Sequence, residues 1–275
     1  MSTSLVKEVV SIGLISRIRP SVYRLLTSIY LIPTGRKIVN GIARWVNRRS
    51  IDVDINGTKL RFLAGLGASE WRASTLHRKE PETLDWIDSF ESNSTFWDIG
   101  ASTGVYTIYA AVRKRCKIVA FDLLPINYDI QIQNAQLNNV GELVLVVPLA
   151  LNDHCGPVNA GVIAHEIGTS QHQLQPSSVE STKLQSGFHT VALSIDECVQ
   201  ALNFPKPDYI KIDVDGLEHL IISGGQRTLD SNVKSVLVEK QTDLESRRRT
   251  VSLLTNLNFE LTLESKGNYI WSRRT

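Results

Sequence analysis

From residue 94 to the C-terminus, short apolar runs alternate with helix-like segments. Thr95–Ile99, Lys117–Phe121, Leu143–Val147, Phe188–Leu193, Tyr209–Ile212 and Val236–Val238 read as strands. Between them, Val105–Arg113, Ile126–Leu137, Ser194 to about Leu202, Leu217–Ser223 and Leu244–Leu257 read as helices. Apolar strands separated by helices are buried on both faces, which predicts a mostly parallel sheet covered by helices on either side. Phe259–Leu263 and Tyr269–Trp271 close the chain around Lys266-Gly267-Asn268, a loop so short that these two strands must run antiparallel.

The rest of the chain fits around that core. Residues 51–63 read IDVDINGTKLRFL, two alternating stretches about an Asn56-Gly57 hairpin turn. A helix is expected from about Glu80 to Phe90, with Pro81 in its first turn. With 42% hydrophobic and 21% charged residues, a chain of 275 can bury a core and is too apolar for disorder. Cys116, Cys155 and Cys198 are too few and too scattered for a disulfide framework or a cysteine zinc site, so a reducing, cytoplasmic setting is the expectation.

Charge is unevenly spread. Residues 1–50 hold nine Lys or Arg and a single acid, Glu8, for a net +8, which leaves −6 on the remainder of a chain whose total is +2. Ile38, Ile42, Trp45 and Val46 recur at helical spacing in this arm. Its longest apolar stretch, Leu25–Ile32, falls far short of the roughly 20 residues that span a bilayer. The expectation is a basic amphipathic extension over 1–50, packed on the body or lying on an anionic membrane surface. The hairpin and helix follow over 51–92, and the catalytic-type core over 93–275.

In open sheets of this kind, ligands sit beyond the C-terminal ends of the strands. Asp98-Ile99-Gly100-Ala101-Ser102-Thr103-Gly104 leads from the first strand into a helix, with glycines that allow a tight turn and close backbone approach. The leading Asp98 would repel a pyrophosphate and suits a ligand end that is cationic or rich in donors. The second strand ends in Asp122, 24 residues on, the place of an acid that receives two ribose hydroxyls. Asp213, Asp215 and Glu218 follow the strand Ile210-Lys211-Ile212, and Glu239 ends the next one. Such crowded carboxylates raise at least one pKa, which suits a general base, and are also of a type that holds Mg²⁺.

These strings resemble the FkbM family of S-adenosylmethionine-dependent methyltransferases, over about residues 79–263. The resemblance rests on Lys79-Glu80-Pro81-Glu82-Thr83-Leu84, Phe96-Trp97-Asp98-Ile99-Gly100-Ala101, Asn127-Tyr128 and, most specifically, Lys211-Ile212-Asp213-Val214-Asp215-Gly216 with Glu218. It implies a Rossmann-like class I methyltransferase fold, with a seven-stranded, mostly parallel sheet whose last strand is antiparallel. It also implies S-adenosyl-L-methionine as cofactor and methyl transfer to a hydroxyl of a sugar or natural product. By position, Asp98, Gly100 and Gly104 would line the methionine end of the cofactor and Asp213 would lie near the sulfonium and the acceptor, with Glu80, Ala101 and Ser102 also among the cofactor-binding residues. Asp122 and Asn127 would serve the ribose, and Asp153 or its neighbours the adenine. Ser102 stands where the family usually has Asn, and Asp122 where it usually has Glu.

A hydroxyl must lose its proton as it attacks. Asp213, Asp215, Glu218 and His172, the last in a loop between the third and fourth strands, are the candidate bases. No metal is assigned. The expected partner is a small-molecule or glycan acceptor, with peripheral membrane contact through residues 1–50. Nucleic acid is not expected, because basic and aromatic residues are not interleaved; Trp71 and Trp97 read as packing residues and Arg247–Arg249 as a solvated face. Two other readings stand: a methyltransferase fold that only binds, and a nicotinamide-dependent oxidoreductase. The second is disfavoured because no Gly-x-Gly-x-x-Gly follows the first strand.

Overall fold

Asn56 and Gly57 turn the chain between β1 (Ser50–Ile55) and β2 (Thr58–Leu63), both at positive φ, 51° and 77°, as a two-residue hairpin turn demands. The computed structural model describes residues 49–64, 68–162, 172–175, 186–214 and 216–274, together with Thr34 and Lys37, both exposed and helical. Apart from those points, the expected extension over 1–50 lies outside the described residues.

Helix α1 (Ala68–Lys79) occupies a stretch that the sequence leaves as a loop. It buries little besides Ala73 and Leu76, so it offers almost no apolar periodicity to read. Helix α2 (Pro81–Asp88) follows, with Pro81 at its first position and Thr83, Leu84, Trp86 and Ile87 turned inward.

The main sheet contains β3 (Thr95–Ile99), β4 (Lys117–Phe121), β5 (Val144–Val147), β10 (Tyr209–Ile212), β11 (Ser235–Glu239), β12 (Phe259–Glu264) and β13 (Asn268–Arg273). Their spatial order is β12-β13-β11-β10-β3-β4-β5. β3, β4, β5, β10 and β11 run parallel, and β13 lies antiparallel to both β11 and β12. This is the expected Rossmann-like class I arrangement, with the strand order reversing between β3 and β10.

Helices α3 (Val105–Lys114) and α4 (Pro125–Leu137) follow β3 and β4, while α6 (Glu218–Ser223), α7 (Gln226–Asn232) and α8 (Leu244–Asn256) follow β10 and β11; α5 (Ile195–Gln200) precedes β10. One core joins the hairpin, α2 and α3 to one face of the sheet through Phe62, Trp86, Phe90, Phe96, Tyr109 and Ile118. The other face packs Trp97, Phe121, Ile212 and Val238 against Ile195, Ile221, Leu229 and Leu254. Trp97 is a packing residue as expected, whereas Trp71 on α1 is 54% exposed.

A second sheet corrects the sequence reading. β6 (Ala150–Leu151), β7 (Gly156–Val162), β8 (His172–Gln175) and β9 (Ser186–Leu193) form a separate four-stranded sheet in the order β6-β9-β7-β8. The strand expected at Phe188–Leu193 therefore belongs here and not to the main succession. Along it, half-buried Phe188 and Thr190 alternate with exposed His189 and Val191, unlike the wholly buried β10.

Candidate active site

The register brings the site together. Ile212 pairs with Ile99, and Ile99 with Phe121, so Asp213, Gly100 and Asp122 leave three adjacent strands side by side. One residue earlier, Lys211 of β10 faces Asp98 of β3 across the ladder.

Lys211 and Asp98 are 2% and 1% exposed. The Lys211 Nζ donates to Asp213 Oδ2 at 2.7 Å and lies 3.9 Å from Asp98 Oδ1 and 5.4 Å from the Tyr106 ring centre. Thr107 donates to Asp98 Oδ2 at 2.7 Å, and Tyr106 to Glu80 Oε2 at 2.8 Å. Lys79 pairs with Glu80 at 2.8 Å. Glu239, at the end of β11, lies beside the Asp213 carboxylate.

Burial works against the Lys211 ammonium, yet Asp213, Asp98 and Glu80 outweigh it and raise its pKa above the usual value. Burial alone would raise Asp213, but the Lys211 ammonium, by its charge and its hydrogen bond, brings it down to about 2. Glu80 is likewise lowered, with Lys211 and Lys79 overcoming burial and the nearby Asp213 charge. Asp98 goes the other way, since its burial exceeds the help from Lys211 and Thr107.

The loop from Gly100 to Gly104 is held by its neighbours. A Cβ on Gly100, at φ +81°, would stand 1.9 Å from the Asp213 carbonyl oxygen, so this glycine lets two loops touch. Asp122 accepts from the Ser102 amide at 2.9 Å, the Leu124 amide at 2.9 Å and Asn127 Nδ2 at 3.1 Å. Gln131 Nε2 donates to Ser102 O at 2.8 Å and Asn134 Nδ2 to Thr103 O at 2.9 Å. Around this loop Asp98 Oδ1, Ser102 Oγ, Thr103 Oγ1, Asn127 Oδ1 and Gln131 Oε1 are buried without a hydrogen-bond partner. Buried polar atoms are nearly always paired. Three of these are pure acceptors, so they fit a ligand that brings ammonium and hydroxyl donors, as S-adenosylmethionine does.

The remaining candidates are placed differently. Asp215 lies outside the described residues. Glu218 is buried, and its Oε1 accepts from the Gly216 amide at 3.0 Å, within its own loop. Burial raises its pKa. Against expectation, His172 is not in a loop of the main sheet; its backbone lies in β8, at the edge of the second sheet, paired with Val162. Asp153, expected near the adenine, has surroundings of its own. It pairs with His154 at 2.5 Å and packs where Gly224 ends α6, about 9 Å along that helix from Glu218. There it lines a separate cavity of about 470 Å³ with Ser194, Asp196, Glu197 and Arg227. Among the described residues, no group of three or more His, Cys, Asp or Glu is placed to hold a metal ion.

Lys211 and Tyr106 are the site residues that sequence reasoning passed over. A lysine inside an apolar strand, two residues ahead of an aspartate, was the available signal.

Comparison with known proteins shows the family. The family model for the methyltransferase FkbM domain matches residues 98–261, more than half of the chain. The chain belongs to the FkbM methyltransferase family. Among curated relatives, the hexuronic acid methyltransferase AglP of Haloferax volcanii is 21% identical over 229 residues, covering 82% of this chain and 90% of that protein. A solved methyltransferase FkbM from Methylobacillus flagellatus has a TM-score of 0.46 and 14% identity, covering 66% of this chain and 44% of that one. This FkbM chain thus spans less than half the length of that protein. A precorrin-6y C5,15-methyltransferase from Geobacter metallireducens has a TM-score of 0.45 and 14% identity, covering 78% and 93%. Among the described residues, no helix is long and apolar enough to cross a membrane.

Proposed function

We propose that this FkbM-family chain transfers a methyl group from S-adenosylmethionine to an oxygen of a sugar, within a glycan, glycolipid or natural product. The observation that carries the reading is the alignment of Asp98, Asp122 and Asp213 at the ends of three adjacent strands, around a loop rimmed by unpartnered buried acceptors. The sugar part is supported by the name of the Haloferax relative.

The cofactor, when bound, supplies an electrophilic methyl group on a sulfonium. The protein's own task is to position and to manage protons. Asp122, fixed by two backbone amides and Asn127, is the residue for the ribose hydroxyls. Asp98 and Glu80 supply negative charge for the cationic amino-acid end. Asp213, kept ionised by Lys211, accepts a hydrogen bond from the acceptor hydroxyl, orients it and takes its proton as the new bond forms. Glu218 accepts from the Gly216 amide through Oε1 and so shapes the loop, while its buried Oε2 has no hydrogen-bond partner.

A second acceptor chemistry has one observation in its favour. Asp213 and Glu80 both have lowered pKa values and are therefore weak bases. A sugar carboxylate, as in a hexuronic acid, is already ionised and needs no base.

Calorimetric titration with S-adenosylmethionine, S-adenosylhomocysteine and NAD tests the cofactor. Binding of the two sulfur compounds without NAD supports the reading, and binding of NAD alone returns the chain to oxidoreductase chemistry. Labelled methyl transfer to neutral and acidic sugars then tests the acceptor, since an ether product survives mild alkali and a methyl ester does not. Asp213→Asn should retain S-adenosylhomocysteine binding and lose turnover at least about 100-fold, the usual scale for a proton-transfer group. Near-normal turnover removes Asp213 from the mechanism.

A further inference from the structure

Helix α1 presents an unusual outer surface. Trp71, Ser74 and Arg78 follow one another at helical spacing on its exposed side, with His77 and Lys79 beside them. Trp71 is 54% exposed, the second largest exposure among the exposed large hydrophobic side chains. Glu70 is the helix's single acid, against Arg72, His77, Arg78 and Lys79. Buried Ala73 and Leu76 fix the opposite side against the body.

This surface borders the site. α1 runs directly into Glu80, which accepts from Tyr106. The point where the basic N-terminal segment joins the body is equally close. Ser50 pairs with Leu63, the Leu63 amide donates to Asn134 Oδ1 at 2.9 Å, and Asn134 Nδ2 donates to Thr103 O at 2.9 Å. The +8 segment therefore enters the fold beside the Gly100–Gly104 loop.

We propose that the outer face of α1 docks this protein on an anionic membrane surface, with the positive charge of residues 1–50 adding to the attraction. Tryptophan favours the membrane–water interface, and each nearby Lys or Arg adds attraction to anionic headgroups. If the acceptor is a glycolipid, a consequence that rests on the sugar reading above, docking holds the Glu80 corner of the site against the headgroups that carry it.

The test uses the full chain and vesicles without cofactor or acceptor, so its outcome is independent of whether the protein methylates sugars. Cosedimentation is measured with phosphatidylcholine alone and with roughly one-third phosphatidylglycerol, a content that gives an anionic surface. The expected result is binding to the anionic vesicles only, weakened by high salt. Trp71→Ser and Arg78→Glu should each reduce it on the order of fivefold, with the same S-adenosylhomocysteine affinity and melting temperature as the parent. A full-length variant with Arg36, Lys37, Arg44 and Arg48 changed to Glu should abolish it. Equal binding to neutral vesicles, or none to anionic ones, overturns the proposal. So does unchanged binding by the Trp71 and Arg78 variants, the result if 1–50 covers α1 itself. Preferential retention by RNA in direct competition with the vesicles also overturns it, in favour of a nucleic-acid partner.

Discussion

The Lys211 ammonium donates to the Asp213 carboxylate at 2.7 Å from a position enclosed within the sheet, directly across the ladder from Asp98. One buried cation thus balances three carboxylates, Asp98, Asp213 and Glu80. Lys211→Met would leave Asp98 and Asp213 uncompensated and Glu80 with Lys79 alone. Breaking a buried pair by removing one partner costs about 3–5 kcal/mol. The expected outcome in scanning calorimetry is a fall in melting temperature of several degrees or more, with Lys211→Arg recovering part of it. A melting temperature unchanged by Lys211→Met would show that the cation carries no such balance.

Gly100→Ala should be far more damaging than Gly57→Ala. Both positions have positive φ, which costs an alanine roughly 1–2 kcal/mol. Around Gly57 there is open space, whereas a Cβ on Gly100 meets the Asp213 carbonyl at 1.9 Å. Urea unfolding should show a loss of about 1–2 kcal/mol for Gly57→Ala, from strain alone, and a clearly larger one for Gly100→Ala. Equal losses would mean that the loop can shift to admit the methyl group.

Asp122→Asn and Asp153→Asn separate two positions that the sequence assigns to one ligand. Asp122 is fixed beside the Gly100–Gly104 loop, and Asp153 lines the separate cavity at the end of α6. Asp122→Asn should weaken S-adenosylhomocysteine at least tenfold, which is about 1.4 kcal/mol, while Asp153→Asn leaves it unchanged. A comparable loss from Asp153→Asn would bring that residue back to the adenine.

Acid and neutral pH should act on two carboxylates in opposite senses. The Asp213 pKa is lowered from 3.8 to about 2, so its favourable contribution is complete above pH 3.8 and is lost as pH falls toward 2. Glu218 is raised above 4.5, so its ionised form costs stability at neutral pH, and that cost disappears as pH falls through its folded pKa toward 4.5. The stability of Glu218→Gln relative to the parent should therefore be highest near neutral pH and decline as pH approaches 4.5. Urea midpoints measured across that range check it, and a difference independent of pH would refute the raised carboxyl.

How much of this was legible depended on burial. The β3, β4, β10 and β11 strands are largely apolar and buried within the sheet, and sequence alone placed their ends within a residue or two. Asp98, Asp122 and Asp213 were found because each directly ends or follows such a run. The β6–β9 sheet was missed because strands such as β8, HQLQ, carry few apolar residues to mark a face. Lys211 was passed over because a lysine ordinarily signals solvent. Its burial is intelligible only once Asp98, from 113 positions earlier, lies opposite it in the register.

At Gly100 the two halves of the site meet without a side chain between them, main chain against the Asp213 carbonyl. The spacing between the Gly100 loop and Asp213 is therefore a property of the backbone, and side chains from Val214 onward and beyond Glu239 can be exchanged without altering it. Such a frame lends itself to diversification, because new acceptors can be accommodated by altering the rim while the methyl-delivering machinery is inherited intact.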